Sequence, residues 1–163
     1  MKQELTISLK MSELIYDIQN KTYLTGRSLE NDTNNAHVAN MQANDDDENA
    51  AQILRSITMA VSVLRNRLAE YLDTTDLSSD NVSLEVTENF SLTLKMPSNF
   101  NASVTRTIGE AAHQFIVATA ITDWFAITAK GETTDYSKVA EQSLKVLEEA
   151  ICKRSRPKRS EKS

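Results

Sequence analysis

From Ala111 to Ile127 the chain reads AAHQFIVATAITDWFAI, seventeen residues in which apolar side chains recur on every side of a helix. A helix of that kind has no face to turn toward water, so it must be wrapped by the rest of the molecule. The segment is far shorter on uninterrupted apolar residues than a membrane span, the longest run lying within Phe115–Ile121. The sequence therefore predicts a central helix, running from about Val104 to Ala129, with amphipathic elements packed around it. Only three Gly and two Pro in 163 residues argue against a sandwich or barrel with many tight turns. The length suits one domain, burying roughly two-thirds of its unfolded surface.

Three further helices are written as apolar stripes. Leu14/Ile15, Ile18, Thr22, Thr25 and Leu29 share a face, with Ser12 as the expected N-cap. Ile53, Ile57, Ala60/Val61, Leu64, Leu68 and Tyr71 form the clearest stripe. Tyr136, Val139/Ala140, Leu144, Leu147 and Ile151 form the last, which ends in basic residues and is stopped by Pro157. Gly131 suits the position just past the central helix. Trp124, Phe125 and Ile127 are expected to close that helix against Tyr136, with Asp123 accepting from a hydroxyl nearby or from a neighbouring chain. Asn31–Asn49 is rich in Asn and Asp and reads mostly as a loop holding at most a short helical turn.

Strand signals occur twice. Leu5, Ile7, Leu9 and Met11 alternate with polar residues, as do Val82, Leu84, Val86, Phe90, Leu92, Leu94 and Met96. The second stretch is too long for one ordinary strand and predicts a β-hairpin at about 82–96. Setting Val86 opposite Phe90, Leu84 opposite Leu92 and Val82 opposite Leu94 keeps the apolar side chains on one face. The loop is then Thr87-Glu88-Asn89, with Asn89 in a left-handed conformation. Thr6–Met11 (TISLKM) also matches Ser91–Met96 (SLTLKM), either as a trace of duplication or by coincidence. The fold class expected is mainly α: a four-helix bundle with a small antiparallel β-sheet, made of the N-terminal strand and the hairpin arm. Residues 1–152 form the domain and 153–163 a basic tail.

Motifs for chemistry are scarce. His37 and His113 are far apart and belong to no zinc-site spacing. His113 inside an apolar helix fits a hydrogen-bonded core or interface histidine better than a ligand. Cys152, the single cysteine, excludes an internal disulfide and has no His near it in sequence to activate it as a nucleophile. Asp45–Glu48 lacks the glycine and spacing of a calcium loop, and acids ahead of a helix suit its positive end. The three scattered glycines supply no phosphate loop. The reading is of a non-enzyme with no cofactor and no metal. Met1–Lys10 lacks the apolar core of a secretory leader, which predicts an intracellular product and makes the five glycosylation patterns incidental.

Charge is distributed unevenly. The chain carries −5 in total, yet Lys153–Ser163 carries +5, so the first 152 residues carry −10. Such a tail either hangs free or orders against an acidic partner, a second copy or nucleic acid. Nucleic-acid modules add aromatics or a basic helix face, which this acidic body does not offer.

The stretches FSLTLKMPSNFNASV, TDWFAIT, DYSKVAEQSL and ICKRSRPKR, spread over residues 90–159, resemble small virion proteins of tailed phages of Bacteroidetes, including crAss-like phages. The resemblance implies a head–tail connector or neck component, a helical bundle with a hairpin arm, forming a commonly twelvefold ring beneath the portal. It implies partners in other copies of the chain and in the portal or an adjoining ring. It implies no membrane, a place in the virion neck, and a stay in the host cytoplasm before assembly. Carried over by position, the contact elements are the tail residues Lys153, Arg154, Arg156, Lys158 and Arg159 and the hairpin tip Glu88 and Asn89. DNA would pass such a ring without sequence-specific contact, repelled by its acidic body. The alternative is a nucleic-acid-binding or regulatory accessory protein acting through the tail.

Overall fold

A computed structural model describes residues 2–73 and 89–159. The protein is mainly helical, with five helices and a two-stranded antiparallel sheet. In chain order the elements are β1 (Gln3–Lys10), α1 (Met11–Ser28), α2 (Asn35–Met41), α3 (Asp47–Arg67), β2 (Asn89–Met96), α4 (Thr105–Thr128) and α5 (Thr133–Ile151). Single 3-10 turns precede α4 and α5, at Ala102–Val104 and Lys130–Glu132.

The all-round apolar helix is the hub, as its composition requires. Ile108, Ala112, Phe115, Ile116, Val117, Ala120, Ile121, Trp124 and Phe125 are all buried, and α4 packs against α5, α3, α1 and β1. Helix α2 packs on α1, whereas the long outer helices α1, α3 and α5 meet one another through isolated side chains, such as the Thr25–Tyr136 hydroxyl pair at 2.6 Å and Arg67–Glu148 at 3.3 Å. Burial along α3 follows its stripe, Ile53, Ile57, Ala60 and Leu64 facing inward. The Asn/Asp-rich stretch holds α2, with Met41 fully buried.

The sheet departs from the expected hairpin. β2 pairs with β1, in a register that sets Leu5 opposite Leu94, Ile7 opposite Leu92 and Leu9 opposite Phe90. Along its other edge, Leu72 bridges Leu94, the Asp73 N–H donates to the Thr93 carbonyl and the Lys95 N–H to the Tyr71 carbonyl. Both edges of Leu94 are thus occupied, and the Val82–Leu94 pair is overturned. Asn89 opens β2 opposite Lys10, and no non-glycine residue among those described has positive φ, so it is not a left-handed loop residue. The alternation that licensed a local hairpin also fits β1, because parity alone sets which face is apolar and says nothing about which strand supplies the partner. The rest of the expected hairpin, with Glu88 in its loop, lies outside the described residues.

Three smaller expectations are also corrected. Helix α1 starts at Met11 straight out of the strand, so Ser12 lies in its first turn, and Lys10 holds the cap position in extended backbone without a side-chain bond. Gly131 sits inside a 3-10 turn without positive φ, and Ala129 is the residue closing α4. Ile127 is 62% exposed rather than part of the closed end.

Candidate functional site

The tail begins as a built part of the body. Helix α5 ends at Ile151, and Arg154 turns back so that its guanidinium donates to the Ile151 carbonyl at 2.8 Å and the Lys153 carbonyl at 3.1 Å. Carbonyls at a helix C-terminus lack intrahelical donors and carry partial negative charge, so a guanidinium there is doubly suited. The chain then runs antiparallel to the segment before α4: Arg154 bridges Phe100, the Asn101 N–H donates to the Lys153 carbonyl at 3.1 Å, and the Ser155 N–H donates to the Asn99 carbonyl at 2.8 Å. Phe100 is buried beneath this pairing. Gln3 ties the same corner to β1 by donating to the Ser98 carbonyl at 2.9 Å and the Phe100 carbonyl at 3.3 Å.

Lys153, Arg156, Lys158 and Arg159 are exposed and form no salt bridge among the described residues. Pro157 keeps the segment between them from helix. Of the residues expected to make contacts, the structure therefore groups Lys153, Arg156, Lys158 and Arg159 on one anchored strap. Arg154 is engaged as a helix cap. Asn89 is an exposed strand residue apart from them, and Glu88 is outside the described residues. No local signal in the tail announced its pairing with Asn99–Asn101, because the groups involved are backbone ones.

The remaining polar groups are satisfied within the fold. His113 Nε2 lies 2.6 Å from Asp17 Oδ2, joining α4 to α1 in a half-buried contact that is an ion pair only with the imidazole protonated. Asp123 accepts from the Ser56 hydroxyl on α3, and burial raises its pKa while that hydrogen bond opposes the rise. The Trp124 indole N–H donates to the Met41 carbonyl at 2.7 Å, pinning the end of α2. Phe125 meets Tyr136 with ring centroids 5.7 Å apart at 59°, the aromatic corner that the spacing anticipated. Sequence reasoning missed Ser56 and Asp17 because a lone polar residue on a helix does not declare which neighbour it faces.

Asp47 and Glu48 fill the first turn of α3, where the helix end favours negative charge. No group of three or more His, Cys, Asp or Glu is arranged to hold a metal among the described residues. Depressions of about 290 Å³ between α4 and α5, lined by Ala111, Gln114, Val139 and Gln142, and about 440 Å³ beside α1 and α2 are shallow grooves. No helix among the described residues is long and apolar enough to cross a membrane. Comparison with protein-family models, with curated proteins and with solved structures finds no match to this chain.

Proposed function

We propose that this protein is a structural subunit of a phage neck, assembling as a ring between portal and tail through its cationic strap. The observation carrying this reading is that the stretches resembling neck proteins on α4, on α5 and in the strap belong to one packed helical hairpin, to whose entry segment the strap is bonded. Strand β2, the 3-10 turn, α4 and α5 follow one another, and the strap returns to pair with Asn99–Asn101 ahead of that hairpin. A strap rooted by backbone bonds projects its cations from a fixed place, which favours docking on a neighbour over a freely hanging tail.

In this reading the four long helices serve as a rigid four-helix bundle, and Lys153, Arg156, Lys158 and Arg159 meet an acidic surface of the next copy or of the adjoining ring. The chain performs no chemistry there and needs no cofactor. It resides in the host cytoplasm until incorporated, and DNA passes without base-specific contact.

The test is composition. Particles purified from the source culture are expected to contain this chain in a copy number equal to that of the portal, or a small multiple of it, by quantitative peptide mass spectrometry. Its absence from particles overturns the neck reading. Nucleic-acid binding by the strap would then be measured by mobility shift and its salt dependence.

A further inference from the structure

Among the described residues, strand β1 presents an open edge. Its eight residues pair with β2 on one side, and among the described residues no backbone group pairs with the other. The far side of β2 is already taken at Thr93–Lys95 by Tyr71–Asp73. An unpaired edge this long recruits another strand unless a proline, a bulge or an inward charge blunts it. Residues 3–10 contain no proline, their register with β2 is unbroken, and the inward positions are Leu5, Ile7 and Leu9. The only charges in the strand, Glu4 and Lys10, point outward near its two ends.

We infer that this edge pairs with the same edge of a second copy, antiparallel about a two-fold axis at Ile7. That register sets Glu4 opposite Lys10 of the second copy, twice by symmetry. It also sets Leu5 opposite Leu9, Thr6 opposite Ser8 and Ile7 opposite Ile7, so the apolar residues of both copies stay on one face. The neighbouring choices are worse. Moving by one residue puts Leu5 opposite Ser8 and breaks the face. Moving by two either sets Lys2 against Lys10 or sets Glu4 opposite Ser12, so that Glu4 meets no cation of the second copy. The exposed Lys10–Glu13 contact at 3.7 Å within each copy is weak enough to be shared or exchanged. The contact is isologous, with each copy supplying the same surface, and it joins the two sheets into one.

A two-fold contact does not close a cyclic ring, so this pairing belongs to the free chain and stands apart from the neck reading. Particle composition tests that reading, and association in solution tests this one.

Sedimentation equilibrium of the full chain, under reductant so that Cys152 forms no link, is expected to give a dimer of twice 18.2 kDa. Glu4→Lys, which sets one lysine against Lys10 of the other copy at each of the two symmetric contacts, at a solvent-facing position, should weaken association by about tenfold or more. Adding Lys10→Glu to it restores opposite charges and should restore the dimer, with far-UV circular dichroism unchanged throughout. A monomer at all concentrations overturns the proposal, including one whose β1 amides are protected from exchange by another part of the same chain. A dimer that Glu4→Lys leaves unchanged, or that the double exchange fails to restore, overturns it as well.

Discussion

Asp123 lies half-buried on α4, facing the Ser56 hydroxyl of α3. Desolvation raises its pKa above the ordinary 3.8, and the hydrogen bond from Ser56 only partly offsets this. The folded chain therefore holds the Asp123 proton more tightly than the unfolded chain does. Its contribution to stability is full below the unfolded pKa and is lost as pH rises through the raised folded value. Asp123→Asn keeps an acceptor for Ser56 and removes the charge. It is expected to be more stable than the parent at neutral pH, with the difference closing as pH falls below 3.8. Urea midpoints of both proteins across that range measure it. Trp124, one residue on, illustrates what a sequence conceals at this scale. Its burial at the end of an apolar helix is legible, but its acceptor is the backbone carbonyl of Met41, which has no side-chain signature.

Among the elements, α1 and α4 use glycine differently. A Cβ at Gly26 would sit 3.2 Å from the Val38 carbonyl oxygen and 3.4 Å from a Val38 methyl, so α1 and α2 approach each other there more closely than most Cβ contacts allow. A Cβ at Gly109 meets nothing within 4 Å. Gly109→Ala is expected to stabilise the protein by about 0.5–1 kcal/mol through helix propensity and reduced unfolded-state freedom. Gly26→Ala should show no such gain, because the backbone of α2 must move aside. Guanidinium denaturation of the two variants decides between these outcomes. The strands make the complementary point. Alternation in residues 5–9 and 90–96 identified both strands and their apolar faces, while the choice of β1 and Tyr71–Asp73 as partners of β2 is a long-range matter. Local spacing favoured a short loop, and the hydrophobic face was equally well served by a distant strand.

At the scale of the whole molecule, the boundary between body and tail falls after Ser155 rather than after Cys152. Removing residues 156–163 takes away Arg156, Lys158 and Arg159, keeps Lys153, and leaves the Asn99–Asn101 pairing intact, so thermal stability should be unchanged. Removing 153–163 also deletes the two backbone bonds at Asn99 and Asn101 and the Arg154 cap on α5. That truncation is expected to cost about 1–3 kcal/mol, read as a drop in midpoint relative to the shorter truncation. The pair of truncations separates the strap's anchoring role from its charge, which is the part available to a partner.

The amino-acid sequence by itself determined the mainly helical class, the central place of α4, the inward stripes of α3 and α5, the apolar face of each strand and the separation of an acidic body from a basic tail. Each of these is written in side-chain polarity at a fixed period or in a count of charges, and burial follows polarity directly. Tertiary structure alone decided that the long outer helices α1, α3 and α5 hardly touch one another. It decided that β2 lies between β1 and Tyr71–Asp73, that Trp124 bonds α2, and that the strap is rooted on Asn99–Asn101. These contacts are made largely by backbone donors and acceptors, which nearly every residue carries alike. Which of them meet depends on how the helices stack and not on any local pattern.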